Sequence, residues 1–583
     1  MTGSRTGKRG LSLLTVALTA ALIYPPTYAL SQEATANPPE SHEQGFPVTD
    51  QLTISQCGTC HQPDAKGNLS RISWIRTSPE GWEEAIKRMV RLNGVSLTPE
   101  EARHILTYLS DYHGLAPSEA EPVENYAEHR MTDETFPADP DVRHACGACH
   151  ALERPLSWHR PPDDWKLLKN MHLAFFPSSA PIAFGEDGRN AGGGEEGEST
   201  KDKLLPVDVA LAYIEKAAPL HTAAWSNWES SMSAPKLTGR WLVWGHQVGK
   251  GKFVGEMTIT PGASNDLFTT KTKLHFVDDP AKVVTAEGAS IVYTGFQWRG
   301  RSTASGEASS PDDMKTGREV MLVSADQSRM KGRWFWGRYE EFGMDVSLRR
   351  AGDGPTVLGT DVSSLRAGTT GNKVTIYGDH LPAGIGASGI DLGAGVTVTK
   401  VLSATPGAIT VSADVAEDIT PGMRTITVGD IAAPDALAVY KKVDFIKVIP
   451  TESLAHLGSE THPKGYVQFE ADGYCDGPDG KPGTADDIDL GPMKATWSLK
   501  EFIATYGDDD VKYVGAIDPE TGFFTPASDG PDPARVSQRN NYGDVWAVAT
   551  VTPEGSSTPL EGRSYLVVTV PQYLIYDQPE VGQ

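Results

Sequence analysis

The chain has 583 residues with a formal net charge of -24, and 39% of its residues are hydrophobic. A chain of this length exceeds what one hydrophobic core supports, so the length predicts several domains. The acidic balance argues against nucleic acid and against an anionic membrane surface as partners, because both repel a negatively charged protein.

Residues 1–30 are typical of a secretory signal peptide. They contain Arg5, Lys8 and Arg9, then an apolar run over residues 11–23, then a small residue, Ala29, where cleavage is expected. The apolar run is too short to span a bilayer comfortably, and no later segment approaches the length required. The sequence therefore predicts export to the periplasm and a soluble mature chain with no membrane span.

Two CxxCH motifs follow, at residues 57–61 and 146–150, and they use four of the five cysteines. In such a motif the two thiols bond to the two vinyl groups of one porphyrin, and the adjacent histidine lies under the iron. A zinc site built from two CxxC pairs would not require that histidine. We therefore expect two covalently bound haem c groups, attached through Cys57, Cys60, Cys146 and Cys149, with His61 and His150 as the proximal iron ligands.

The sequence after each motif runs in parallel, which indicates an internal repeat. Pro79-Glu80-Gly81-Trp82 follows the first motif and Pro162-Asp163-Asp164-Trp165 follows the second. A second helical pattern closes each half. Two tandem cytochrome c units explain this order. We expect an all-α diheme domain over residues 45–232, with its units at about 45–120 and 125–232.

The repeat also nominates the distal iron ligands. Seven residues after the aligned tryptophans lie Met89 in the first half and His172 in the second. We predict His/Met ligation at the first haem and bis-His ligation at the second. Methionine favours the reduced iron, so the first haem is expected at the higher potential.

Alternatives to these two ligands remain. Met89 could instead be a core methionine. The other candidate ligands of the second iron are Met171, His159 and His144. The other candidate ligands of the first iron are Met131, His104 and His113.

The segment 185–198 is rich in glycine and acid and predicts a solvated loop. The remaining single cysteine, Cys475, cannot form an intrachain disulfide once the four motif cysteines carry haem. We expect it to be an unreactive thiol.

From about residue 235 the pattern changes to short β-branched and aromatic runs separated by Gly, Asp and Pro. We predict an antiparallel β-barrel over residues 235–352 and two immunoglobulin-like β-sandwiches over 353–443 and 444–583. The fold class is thus multidomain α + β, with the helical diheme domain followed by three all-β domains. Tryptophans near both ends of the barrel segment are expected to pack in its core.

No catalytic residue is assigned to this chain. The aspartate-rich loop at residues 476–489 has the oxygen atoms that calcium prefers, but its spacing does not match the helix-loop-helix calcium site. The sequence contains no nucleophile elbow, zinc-protease helix, phosphate-binding loop or dinucleotide fingerprint.

The order of a diheme domain followed by three β domains, with the CxxCH motifs and the stretches 79–89 and 164–173, resembles the alpha subunit of quinohemoprotein amine dehydrogenase. The resemblance implies a periplasmic hetero-oligomer with a β-propeller subunit and a small subunit that carries cysteine tryptophylquinone. It implies that primary amines are oxidised at that quinone, on the partner chain. This chain would pass the electrons through its two haems to a cupredoxin or a cytochrome c.

Two other functions fit the haem motifs. A diheme peroxidase needs one iron with an open position, whereas both halves here offer a sixth ligand at matched positions. An exported diheme cytochrome with polysaccharide- or surface-binding β domains would display exposed aromatic stripes. The aromatic residues in question are Trp241, Trp244, Trp334 and Trp336.

Overall fold

The computed structural model describes residues 43–130, 139–185, 204–503 and 508–572. The predicted signal peptide at 1–30, Met131 and all but the first residue of the loop at 185–198 lie outside the described residues. Residues Gln44–Gln583 belong to one compact unit. In the described part of the chain, every helix is too short or too polar to cross a membrane.

The first part of this unit is helical, as predicted. Local signals set where the helices begin: Thr98 and Glu101 form a reciprocal capping box at one helix start, and Asp50 caps another by accepting from the Thr53 amide at 2.7 Å. The helices are α1 (Gln51–Cys57), α2 (Pro79–Asn93), α3 (Pro99–Tyr112), α4 (Pro117–Ala120), α5 (Glu124–Ala127), α6 (Pro140–Cys146), α7 (Glu153–Leu156), α8 (Pro162–Phe175), α9 (Pro206–Ala217) and α10 (Ala223–Ser231).

The order of elements repeats within this helical region. A short helix ends at the first cysteine of each motif (α1 and α6), a long helix begins at a proline (α2 and α8), and another long helix follows (α3 and α9). A two-residue strand comes just before the proline-started helix of each half. These strands are β1 (Arg76–Thr77), before α2, and β2 (Trp158–His159), before α8, and they pair antiparallel with each other. The two halves therefore meet at a two-residue ladder. Their identity as two cytochrome c units stays a prediction.

A closed eight-stranded barrel follows, which confirms the predicted barrel. Each strand pairs antiparallel with the next along the chain, and the last pairs with the first. Burial alternates along the strands, as the two-residue period of a strand requires when one face forms the core. The strands are β3 (Gly239–Gln247), β4 (Gly251–Pro261), β5 (Leu267–Phe276), β6 (Val283–Tyr293), β7 (Gln297–Ala304), β8 (Thr316–Val323), β9 (Arg329–Trp336) and β10 (Phe342–Arg350).

The tryptophans of the barrel mostly pack in its core, as expected from the sequence. Trp241, Trp334 and Trp336 are at most 4% exposed, and Trp244 is partly buried. They do not form the exposed aromatic stripe that a polysaccharide-binding surface would need.

Two four-stranded sheets with one shared core come next. The sheet orders are β11-β13-β16-β15 and β12-β18-β17-β14, and β12 runs parallel to β18. The strands are β11 (Thr356–Thr360), β12 (Ser364–Arg366), β13 (Asn372–Asp379), β14 (Ile390–Asp391), β15 (Val396–Ala404), β16 (Ala408–Val415), β17 (Gly422–Val428) and β18 (Ile431–Tyr440).

The last region has three sheets rather than the two of the predicted sandwich. Their orders are β19-β22-β23, β20-β28-β27-β24 and β21-β26-β25, and they share one core. The elements are β19 (Phe445–Ile449), β20 (Glu452–His456), β21 (Val467–Gln468), β22 (Glu470–Cys475), β23 (Ile488–Pro492), β24 (Thr496–Glu501), α11 (Asp510–Tyr513), β25 (Gly515–Ile517), β26 (Phe523–Pro526), β27 (Gly543–Val551) and β28 (Leu560–Thr569).

Two sequence features of this last region have structural explanations. Cys475 is buried, and burial raises the pKa of its thiol to about 11, as expected of an unreactive cysteine. In the aspartate-rich loop, Asp487 accepts hydrogen bonds from the amides of Gly483 and Thr484, at 2.8 and 3.1 Å. This carboxylate caps the backbone of its own loop, which is a structural use for it.

The helical region and the barrel share one continuous hydrophobic core. Buried ion pairs cross the same interface: Arg299 of β7 lies 2.5 Å from Glu80 of α2 and 3.0 Å from Glu124 of α5. The carboxylate of Asp111 accepts from the Thr294 amide at 2.6 Å. The barrel thus fixes the position of α2, the helix that carries Met89.

Candidate haem-binding site

The first CxxCH motif forms a tight turn at the end of α1. The amide of Gly58 donates to the carbonyl of Ile54 at 2.8 Å, and the amide of His61 donates to the carbonyl of Cys57 at 2.9 Å. Cys57 is partly buried and Cys60 is exposed, and both are free thiols. The turn therefore leaves two unpaired thiols and one imidazole within five residues, which is the donor set that a covalently attached haem requires.

Hydrogen bonding orients the His61 imidazole. Its Nδ1 lies 2.9 Å from the carbonyl of Ser70, so Nδ1 carries the proton and donates it, and Nε2 keeps its lone pair. Burial lowers the pKa of His61, which keeps the ring neutral at neutral pH. A neutral imidazole with a free Nε2 and a second hydrogen bond that fixes its ring is the form that binds iron.

The second motif likewise follows the end of a short helix, α6. Asp139 caps the helix by accepting from the Asp141 amide at 2.8 Å, and Gly147 donates to the carbonyl of Arg143 at 2.7 Å. Burial raises the pKa of the Cys146 thiol to about 12. Cys149 is exposed, and both thiols are free.

His150 matches His61 in tautomer and charge. Its Nδ1 donates to the carbonyl of Ala151 at 3.0 Å, which leaves Nε2 available. Burial lowers the pKa of His150, and the nearby cation of Arg154 and the imidazole of His172 act in the same direction. The residues of both motifs therefore fit a haem c group with histidine below the iron.

The candidate distal ligands occupy the same position on two equivalent helices. Met89 is ten residues after Pro79, the first residue of α2 (89 − 79 = 10), and His172 is ten residues after Pro162, the first residue of α8 (172 − 162 = 10). Both side chains are partly buried. The structural repeat thus agrees with the alignment of these two positions in the sequence.

His172 is near enough to His150 for its charge to contribute to the lowered pKa of His150, after burial and Arg154. His172 Nδ1 donates to the carbonyl of Leu168 one turn back, at 2.9 Å, which leaves its Nε2 available as well. The proximity of Met89 to His61 stays a prediction.

The alternative ligands occupy other environments. His159 is 4% exposed and bonds through Nδ1 to the carbonyl of Pro219 at 2.9 Å, beside Arg76. His113 is fully buried among aromatic rings, and His104 pairs with Asp50 at 2.9 Å on the surface. His144 is an exposed residue of α6. Met171 is the neighbour of His172 on α8.

Backbone carbonyls are the part of the site that the sequence does not disclose. Ser70, Ala151 and Leu168 each orient an imidazole through a main-chain oxygen. Every residue carries such an oxygen, so no side-chain pattern could have identified these three partners.

A buried charge network lies between the two halves of the site. Arg76 of β1 donates to both carboxylate oxygens of Glu119, at 2.9 and 3.1 Å, and to the carbonyl of Leu220 at 2.7 Å. Burial alone would raise the pKa of Glu119, but these bonds hold it at about 2. The network joins β1, α4 and the segment before α10, and so fixes the two halves relative to each other.

Four family models match the chain in order along its length. The model described as quinohemoprotein amine dehydrogenase A, alpha subunit, haem binding matches residues 48–192. Those described as quinohemoprotein amine dehydrogenase alpha subunit domains II, III and IV match residues 234–351, 354–441 and 446–581. No curated protein sequence matches the chain.

Three solved structures illustrate the likeness of the β domains to known folds. A de novo designed fluorescence-activating β-barrel is 15% identical and covers 20% of this chain and 93% of its own, with a TM-score of 0.16. Human protocadherin-24 EC1-2 is 12% identical over 38% of this chain and 99% of its own, at 0.16. Drosophila N-cadherin EC1-3 is 11% identical over 43% and 85%, at 0.19. TM-scores this low carry no information about function.

Proposed function

The chain belongs to the family of quinohemoprotein amine dehydrogenase alpha subunits, and from this membership we propose that it is the diheme electron-transfer subunit of a periplasmic amine dehydrogenase. One observation carries the proposal. Each of the two CxxCH turns has free thiols and a histidine whose Nδ1 is bound to a backbone carbonyl. Such a turn is suited to one covalently bound haem c and to little else.

In this proposal eight side chains hold the two haem groups. Cys57 and Cys60, and Cys146 and Cys149, form the thioether bonds, and His61 and His150 are the proximal ligands. Met89 is the distal ligand of the first iron and His172 that of the second. The bound haem supplies one-electron redox chemistry at iron. The chain sets the potential through ligand identity, burial and the hydrogen bonds to the histidines.

The amine chemistry belongs to another chain in this proposal. We assign it to a cysteine tryptophylquinone on a small partner subunit, with a β-propeller subunit completing the hetero-oligomer. Electrons leave the two haems for a cupredoxin or a cytochrome c. The formal charge of -24 supports a role in electrostatic steering of such a soluble acceptor.

The proposal is tested on the native complex from periplasm. Addition of a primary amine is expected to reduce the haem absorption bands, and separation of the subunits is expected to yield a smaller quinone-positive chain. A chain that purifies alone and whose haem bands do not respond to amines would contradict the assignment, and peroxide turnover and glycan binding would then be measured.

The haem stoichiometry is tested separately with matched cysteine variants. The double variants Cys57→Ser/Cys60→Ser and Cys146→Ser/Cys149→Ser are each expected to lose one of two covalent haems per chain, measured from the absorbance of the denatured, pyridine-treated protein. Cys475→Ala removes the one cysteine outside the motifs and is expected to retain both. Retention of two covalent haems in either motif variant would contradict the assigned attachment sites.

A further inference from the structure

One carbonyl oxygen serves both the second proximal histidine and an arginine. The carbonyl of Ala151 accepts a hydrogen bond from His150 Nδ1 at 3.0 Å and another from the amide of Arg154 at 3.2 Å. Arg154 belongs to α7, the short helix that follows the motif. The backbone that orients this imidazole therefore also fixes the arginine next to it.

The counter-ion of Arg154 comes from the other half of the helical region. Arg154 Nη2 lies 2.5 Å from Oε1 of Glu84, which is on α2, the helix that carries Met89. Tyr126 of α5 lies against the pair: its ring centroid is 5.9 Å from Arg154 Cζ, and its hydroxyl is 3.5 Å from the same Glu84 oxygen. An ion pair thus joins the two halves beside the second proximal histidine.

The first motif has the reciprocal arrangement. The carbonyl of Ser70 accepts from His61 Nδ1, and the next residue is Arg71. Arg71 Nη2 lies 3.4 Å from Oδ1 of Asp164, which is on α8 of the second half. Each proximal histidine therefore has an arginine close to it whose counter-ion lies on the proline-started helix of the opposite half.

The pair at the second motif is the stronger of the two. The side chains of Arg154 and Glu84 are 36% and 27% exposed, so solvent screens their charges only in part. The side chain of Arg71 is 44% exposed, and its partner Asp164 also binds Arg160 at 2.5 Å. The effect of one charge on a haem is therefore expected to be clearest for Glu84 and Arg154.

Both charges of this pair reach the imidazole. Burial lowers the pKa of His150, the charge of Arg154 acts in the same direction, and the charge of Glu84 acts in the opposite one. A cation near a ligated iron favours the reduced state, which is the less positive one, and an anion favours the oxidised state. The two charges therefore act on the redox equilibrium of the second haem in opposite directions.

We propose that Glu84, a residue of the first half, is a positioning residue for the haem of the second half: it holds and neutralises Arg154 beside His150, and so keeps the reduction potential of that haem low. This inference rests on the proposed function, because it requires a haem at the second motif. The two haem-binding halves are then coupled electrostatically through one ion pair.

The proposal is tested by spectroelectrochemical titration of the full-length diheme protein. Glu84→Gln is expected to raise the potential of the second haem, Arg154→Gln is expected to lower it, and the double variant should lie between the two. Arg154→Lys keeps the cation and should stay closer to the unaltered protein than Arg154→Gln does. The component that moves should be the one that His172→Met moves.

The exposed pair of Lys166 and Asp163 on α8 supplies the matched controls. Lys166→Gln and Asp163→Asn should leave both potentials unchanged, because solvent screens exposed charges. Loss of packing alone would move the potential in the same direction in Glu84→Gln and Arg154→Gln, so shifts of equal sign, or no shift in either variant, would overturn this inference while the proposed function stands. Absence of covalent haem at the second motif of the unaltered protein would overturn both.

Discussion

Arg76 and His159 are partners in the two-residue ladder that joins the halves of the helical region, and their side chains meet, with Arg76 Nη2 3.3 Å from His159 Nδ1. Arg76 is fully buried and also donates to both carboxylate oxygens of Glu119. Burial and the adjacent guanidinium lower the pKa of His159 to about 4. Each haem-binding half is therefore held to the other through one buried cation.

Replacing Arg76 should be strongly destabilising. Arg76→Met leaves Glu119 buried without its counter-ion, and breaking such a pair costs about 3–5 kcal/mol of unfolding free energy. Lys166→Met breaks an exposed pair with Asp163 in the same region and should cost about 1 kcal/mol or less. Urea denaturation followed through haem absorption measures both, and equal losses in the two variants would contradict the role of Arg76.

The Glu119 carboxylate predicts a specific acid dependence. Its pKa is about 2 in the folded protein against 4.5 ordinarily, so its contribution is complete above pH 4.5 and declines as the pH falls toward 2. The stability difference between the unaltered protein and Glu119→Gln should therefore be largest above pH 4.5 and shrink below it. Melting temperatures from pH 7 to pH 3 measure this, and a difference that does not depend on pH would argue against the ion pair.

His113 predicts acid sensitivity in a higher range. Burial and, next, Arg76 lower its pKa to about 3, so the unfolded chain binds a proton at this position that the folded chain does not between pH 6.5 and 3. Stability is lost as the pH falls through this window. His113→Phe should lose less stability on acidification than the unaltered protein, by urea denaturation at pH 7 and pH 4. An unchanged loss of stability between pH 7 and pH 4 in His113→Phe would contradict this role for His113.

The interface between the helical region and the barrel depends on Arg299. Arg299→Gln leaves Glu80 and Glu124 buried beside each other, with an expected cost of about 3–5 kcal/mol. On the same barrel, Lys271 and Glu287 form an exposed pair, so Lys271→Gln should cost about 1 kcal/mol or less. Chemical denaturation compares the two, and the interface assignment fails if Arg299→Gln is as mild as Lys271→Gln.

Exchange of the proposed distal ligands should change the haem potentials in opposite directions. Met89→His replaces a thioether by imidazole and should lower the potential of the first haem, whereas His172→Met should raise that of the second. Met171→Leu alters the neighbour of His172 on α8 and should move neither. Spectroelectrochemical titration resolves the two components. A Met89→His variant with both potentials unchanged would remove Met89 from the ligand set.

Short-range signals predicted much of this fold. Proline and Thr98 mark helix starts, and alternating burial marks the barrel strands, because these signals act within a few residues. The helix starts at Pro79 and Pro162 make Arg76 and His159 equivalent positions, three residues before the proline in each case (79 − 76 = 162 − 159).

Long-range contacts were not predictable from the sequence. Arg299 and Glu80 are 219 residues apart, and nothing in either neighbourhood marks them as a pair. The third sheet of the last region likewise arises from the pairing of β21, β25 and β26, which are only two to four residues long and carry little periodicity. Pairing of this kind depends on how the whole chain packs.

The continuous core between the helices and the barrel has a consequence for modularity. Buried side chains such as Leu109 on the helical side and Phe296 on the barrel side belong to one apolar cluster. A fragment that ends after α10 would leave that cluster half exposed and should aggregate. The haem-binding part is therefore not a transferable unit: grafting it onto a different enzyme would require the barrel to be transplanted with it.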